Sequence, residues 1–218
     1  MRVVGFLTKV TAFLLFITAS MWADNHSLSM SDKLFKEATD SVKAREYQKA
    51  ISIFEELANL NEHDAQYNLA VLLKAGKGKT KKYTDALYWS YLSKLGEIPE
   101  ANELVEDLID LLPEKTVEDV RQKVKTQLED NVETGRKDSI MHLGRFFLDV
   151  VNEKEYASAY KWFTVGAALG LNQAIALRDE VEEELTPEQI VEEQENAEKF
   201  FRSFIEQLER ALDEENSS

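Results

Sequence analysis

At 218 residues, 44% hydrophobic and 10% aromatic, the chain carries enough apolar material for a packed core and is not composed like a disordered polymer. Its formal net charge of −15 excludes nucleic acid as a general partner, because phosphate binding needs a basic surface. With no cysteine, disulfides, thiolate metal sites and cysteine nucleophiles are excluded, and 8 Gly with 3 Pro disfavour an all-β fold.

Residues 1-23 read as a secretory signal. Arg2 and Lys9 give a basic start, and Val10 to Thr18 form an apolar run shorter than the roughly 20 residues a membrane span needs. Cleavage after Ala23 leaves Met21 at the −3 position, where a small residue is preferred; cleavage after Ser20 leaves Thr18 there. Both sites stay open, as does retention of the leader as an anchor. The absence of a following cysteine excludes a lipoprotein anchor. Residues 24-30 read as a polar linker. The expected location is periplasmic or secreted, with no stable membrane insertion once the signal is removed.

Helices are then expected in pairs. Ser31 to Lys43 and Tyr47 to Leu60 form a first hairpin (31-62), with Leu34, Ala38, Ala50, Ile53, Phe54 and Leu57 on its apolar faces. Asp64 to Lys74 and Tyr83 to Leu95 form the second, separated by Gly76-Lys77-Gly78, whose glycines permit positive φ and stop the first helix. A Tyr followed by Ala three and eighteen residues later occurs as Tyr47/Ala50/Ala65, Tyr83/Ala86/Ala101 and Tyr156/Ala159/Ala174, at offsets of 36 and then 73. Such a period in helix-forming sequence is the mark of a helical-hairpin solenoid. The small alanines suit close helix crossings, and Trp89 and Trp162, three residues further on, are expected in the core.

Beyond Ala101, Asn102 to Leu112 and a helix from Pro113 or Thr116 to about Asp130 are expected. Ala101, Leu104, Leu108 and Leu112-Pro113 recur 73 residues on as Ala174, Leu177, Val181 and Leu185-Thr186-Pro187. The chain therefore divides into super-repeats at 63-137 and 138-186. The second contains Asp138 to Asp149 and Tyr156 to Leu169, with Gly144 in the place of Ala70 and Gly170 as the stop. Thr186-Pro187-Glu188-Gln189 is a capping box opening a C-terminal capping helix (187-213). Its stripe is Ile190, Ala197, Phe201, Phe204, Leu208 and Leu212. From Arg178 to Ser218 fifteen acidic residues face four basic ones, a net of −11.

The second and third hairpins resemble the Sel-one-like repeat (SLR) family, relatives of the tetratricopeptide repeats (TPR). The match is carried by Tyr67-x-Leu69-Ala70, Gly76-x-Gly78, Tyr83-x-x-Ala86-x-x-Trp89, Gly96 and Ala101. It continues with Leu143-Gly144, Tyr156-x-x-Ala159-x-x-Trp162-Phe163, Ala167-Ala168-x-Gly170 and Ala174. The first hairpin looks more like a plain TPR unit. Two departures stand out: Val150-Val151 replaces the glycines of the second unit, and Gly96 sits one residue early relative to Gly170. The resemblance implies an all-α, right-handed αα solenoid of SLR/TPR-like helical hairpins that acts as a protein–protein adaptor without chemistry of its own. Cysteine-rich secreted members of the family are linked to β-lactam binding, which does not carry over to a chain without cysteine.

Chemistry-bearing patterns are sparse. His26, His63 and His142 have no metal-ligand spacing, and no nucleophile elbow, phosphate-cradling loop or calcium loop is present. The carboxylates of Glu182, Glu183 and Glu184 lie in a solvated run that would not perturb them for acid–base work. No catalytic residue, cofactor or metal is expected. Five lysines fall within nine residues at Lys74, Lys77, Lys79, Lys81 and Lys82, which suits an acidic partner, the chain's own acidic C-terminal helix or a soluble loop. The expected function is a non-enzymatic scaffold that takes a peptide or protein segment on a concave face. By analogy with TPR grooves, the contacts would be Tyr67, Val71, Lys74, Lys77 and Lys79, then Met141, Arg145 and Leu148. The alternative is a subunit of an envelope assembly that docks through its C-terminal amphipathic helix.

Overall fold

The computed structural model describes residues 30–215; the signal and its cleavage sites lie outside that range. Every regular element among the described residues is an α-helix. After α1 (30–43) come α2 (Tyr47–Asn59), α3 (His63–Ala75), α4 (Tyr83–Leu95), α5 (Ala101–Ile109) and α6 (Glu114–Glu133). The chain continues with α7 (Asp138–Asp149), α8 (Tyr156–Ala168), α9 (Ala174–Glu182) and α10 (Pro187–Glu215). This is the expected all-α arrangement of helices packed in consecutive pairs.

The three marker tyrosines each open a helix, α2, α4 and α8. Ala50, Ala65, Ala86, Ala101, Ala159 and Ala174 are all fully buried, so each repeat alanine sits where a neighbouring helix leaves no room for a larger side chain. The ends of α1, α2, α3, α4, α6 and α8 follow one rule. At Arg45, Asn61, Gly76, Glu97, Gly135 and Gly170 the backbone turns to positive φ. At each of them the two flanking amides bond back into the preceding helix, as Glu97 N to Lys94 O at 2.9 Å and Ile98 N to Ser93 O at 3.2 Å. These are Schellman turns. The counterpart of Gly170 is therefore Glu97, 73 residues earlier, while Gly96 precedes it at φ −81°. The displaced glycine noted in the sequence is not the stop signal; a non-glycine residue has taken that place.

The chain divides into two compact units between Lys81 and Lys82, in the loop joining α3 to α4. In the first, α2 packs on α3, and Phe54 meets Phe35 of α1 edge-on at 5.6 Å. Gln66 is wholly buried and donates to the Ala58 carbonyl at 3.1 Å, which ties α3 to α2. Gly78, at φ 82°, lies against the Tyr47 backbone, where a Cβ would come within 2.6 Å of the carbonyl oxygen.

In the second unit the 73-residue offset is reproduced helix by helix. Tyr83–Leu95 corresponds to Tyr156–Ala168, Ala101–Ile109 to Ala174–Glu182, and the starts Glu114 and Pro187 coincide. Packing repeats too: α5 and α6 lie on α4 as α9 and α10 lie on α8. The helix expected to act as a cap thus occupies the place of α6, with its capping box formed (Gln189 N to Thr186 Oγ1 3.3 Å, Thr186 N to Gln189 Oε1 3.0 Å). Its inner face is set by Ala197 and Phe204, both buried, whereas Leu212, placed on the stripe from the sequence, is 48% exposed.

Trp162 is buried beneath Phe200 of α10, but Trp89 is only half-buried. Position 127, the counterpart of Phe200, is a glutamine that instead reaches the Tyr88 hydroxyl at 3.5 Å. The expectation that both tryptophans are core residues holds for Trp162 and fails for Trp89, which meets Tyr88 edge-on at 5.0 Å but receives no ring from α6.

Candidate functional site

The residues expected to line a binding face fall in both units. On α3, spacings of four and three residues put Tyr67, Val71 and Lys74 on one side; Tyr67 and Lys74 are half-buried and Val71 is exposed. Lys77 and Lys79 are exposed in the loop that follows. Lys77 lies over the Tyr47 ring, 5.3 Å from its centroid, and Lys79 forms an ion pair with Glu55. Lys82 pairs with Asp85 at 2.8 Å. At least part of the lysine cluster therefore already serves local contacts.

On α7 the three residues separate. Met141 is buried, with its sulfur 2.8 Å from the point where a Cβ on Gly166 would stand. That packing corrects its assignment as an exposed contact, because the missing side chain at Gly166 opens the space that Met141 fills. Arg145 binds Glu97 at 2.9 Å and donates to Gln173 Oε1 at 2.7 Å. Both partners sit at positive φ, so Arg145 clasps the loops after α4 and α8. Leu148 remains half-buried.

Sequence reasoning missed a cleft on another side of α7. The inner face of α6 carries Val117, Val120, Val124, Leu128 and Val132, all buried, at helical spacing. Arg121 lies in the same phase, four residues after Val117 and three before Val124, and is only 8% exposed. Phe146 and Phe147 of α7 face this region with rings perpendicular and centroids 5.4 Å apart. The loop 150–155 folds back onto α7 through Glu155 N to Phe147 O at 2.8 Å and Val151 N to Phe146 O at 3.3 Å. Together α6, α7 and this loop enclose a cleft of about 500 Å³.

Charge in the cleft is arranged unevenly with depth. Arg121 Nη1 makes a long 3.4 Å contact with Glu118, whose side chain is 64% exposed, and Arg121 Nε is buried without a hydrogen-bond partner. The Tyr91 hydroxyl is likewise buried and lies beside Arg121, in no hydrogen bond of good geometry. Burial raises its pKa, and the adjacent Arg121 charge acts against the rise. Lys125 stands over the Phe147 ring at 5.5 Å and reaches Glu129 at 3.8 Å. Glu153, Lys154 and Glu155 complete the lining. The signal that could have found the site is the phase of Arg121: a charge in the middle of a valine face has to be buried.

The corresponding place in the second super-repeat is differently equipped. Gln194, 73 residues after Arg121, donates to Tyr160 Oη at 3.0 Å, and Tyr160 donates to Glu182 at 2.9 Å. A neutral amide bonded to a tyrosine thus stands where Arg121 carries a charge whose Nε has no partner. Among the described residues no cluster of His, Asp or Glu is arranged to hold a metal, and no helix is long and apolar enough to cross a membrane.

No protein-family model matches the chain, and no curated protein matches it. A solved structure does: a protective antigen present in uropathogenic Escherichia coli strains, described as displaying an SLR fold. The two share 18% sequence identity over 81% of this chain and 46% of that one, with a TM-score of 0.37. The chain spans a little under half the length of that protein.

Proposed function

We propose that this protein is an exported, non-enzymatic interaction scaffold that binds a peptide or protein segment along the outer sides of its first-of-pair helices. The observation that carries the reading is on α3, where Tyr67 and Val71 leave apolar surface open beside Lys74 while the opposite side buries Ala65, Leu69 and Ala70 completely. A repeat that packs through small residues on one side and leaves mixed apolar and basic side chains on the other is built to be covered by a partner. Export rests on the basic and apolar pattern of residues 1-23.

A second reading has support of its own. Val191 is 56% exposed and Leu212 48% exposed on α10, and apolar surface on a long acidic helix suits docking onto another subunit. A photoreactive residue placed at Val71, at Leu148 or at Val191 in the full chain separates the two. Adducts with one protein from positions 71 and 148 support the scaffold. Adducts from 191 alone transfer the function to α10, and none from any position overturns both.

A further inference from the structure

We propose that the cleft between α6, α7 and the 150–155 loop is a receptor for a monocarboxylate with an apolar body, its carboxylate on the Arg121 guanidinium and its apolar part on Phe147. This site is separate from the scaffold face, and its occupancy does not depend on a segment bound to α3 or α7.

The Arg121 side chain is 10% exposed; its Nε lacks a partner, Nη1 has only a long 3.4 Å contact with a largely exposed glutamate, and the Tyr91 hydroxyl beside it is neutral, so no buried carboxylate matches the charge. Its fork of donors matches a carboxylate in shape and charge. The repeat does not call for a cation at this phase, since the equivalent residue of the second super-repeat is the neutral Gln194, bonded to Tyr160. The cation is therefore particular to the cleft.

The surroundings narrow the ligand. Phe147 offers an aromatic wall with Lys125 above it, so an apolar group next to the carboxylate can lie on the ring while Lys125 adds a second positive charge. Glu118, Glu153 and Glu155 also line the cleft, and Glu155 is positioned by Ser158 Oγ at 3.1 Å. These three carboxylates balance Arg121, Lys125 and Lys154, so a single negative charge placed deep on Arg121 is matched better than a doubly charged phosphate or dicarboxylate. About 500 Å³ accommodates a small acid or one acidic side chain with its neighbour.

The test is an NMR titration of the full chain with hydrocinnamate and with hydrocinnamamide, its neutral counterpart. The acid is expected to shift the Arg121 side-chain N–H and the Phe147 amide, to bind about tenfold or more tightly than the amide, and to weaken with added salt. Arg121→Met is expected to keep the helical content and to bind the acid no better than the amide, since an apolar replacement of a buried charge is often well tolerated. Should that variant not fold, Arg121→Lys keeps the charge but loses the fork, and a several-fold loss of acid binding is expected. Equal binding of acid and amide, shifts confined to other faces, or wild-type affinity in either variant overturns the proposal. Acetyl-Glu-Phe-amide separates the sources of the carboxylate: tighter binding than hydrocinnamate identifies an acidic side chain of a peptide, and weaker binding a free acid.

Discussion

Trp162 meets the ring of Phe200 edge-on with centroids 4.9 Å apart, and 73 residues earlier the same two positions hold Trp89 and Gln127. One interface thus exists in a dry and a wet version within the same protein. In the dry version the indole is buried under α10, and Phe200 stacks onward to Phe204 at 5.8 Å. In the wet version Tyr88 takes over, buried, with Lys123 4.3 Å from its ring centroid and Gln127 at its hydroxyl.

The pair should respond unequally to truncation. Trp162→Ala is expected to cost about 3–5 kcal/mol, the range for a large aromatic removed from a packed site. Trp89→Ala, half-exposed to begin with, should cost about 1–2 kcal/mol. Urea denaturation of both variants checks the order; equal midpoint shifts would remove the distinction.

Tyr88 should make the protein sensitive to alkali. Burial pushes its pKa up to about 12 from an ordinary value near 10. The folded state then holds a proton that the unfolded chain releases, so stability is intact below pH 10 and falls as pH rises toward 12. Tyrosinate absorbance during a pH titration, repeated on Tyr88→Phe, should show one late-titrating phenol vanish and the alkaline loss of stability shrink.

Two glycines at positive φ should differ in their tolerance of a methyl group. Gly170, at φ 70°, has open space around the missing Cβ, so Gly170→Ala should cost only the left-handed strain, about 1 kcal/mol. At Gly78 the new atom would meet the Tyr47 carbonyl oxygen at 2.6 Å in addition to the strain. Gly78→Ala is expected to cost more, and thermal melts of the two variants side by side measure the difference.

Much of this architecture was legible in the sequence because it depends on short-range rules. The Tyr-x-x-Ala spacing located the starts of α2, α4 and α8, and the capping box located α10. What escaped depends on which residue lies opposite. Whether Trp89 is dry depends on residue 127, and whether Met141 is exposed depends on the lack of a side chain at Gly166. Arg121 escaped because a charged residue on a predicted helix is assigned to solvent unless its phase against Val117, Val120 and Val124 is counted. Glu97 escaped because glutamate carries no sign of a left-handed turn; only the bonds of Ile98 and Glu97 back to α4 reveal it.

Removal of α10 should expose the dry interface. Truncation after Glu184 strips Phe200 from Trp162 and takes away buried Ala197 and Phe204. The truncated chain is expected to aggregate or to lose helix in α8, read by light scattering and circular dichroism. A soluble product with an unchanged melting temperature would instead mean that α10 is held for a partner.

The correspondence of α6 with α10 also determines how this protein can be lengthened. Because Glu114 and Pro187 open helices at the same phase of the repeat, residues 114–186 form a transposable block. A second copy spliced between Thr186 and Pro187 would seat its first helix on α8 at the phase α6 has on α4, supply its own α7, α8 and α9, and hand the original α10 a fresh copy of the α8 surface. Growth by that block keeps Phe200 over a copy of Trp162 and creates one new seam, where Gln127 of the added copy meets Trp162 of the original α8. An insertion that is not a whole multiple of that block puts Phe200 out of phase with the tryptophan that receives it.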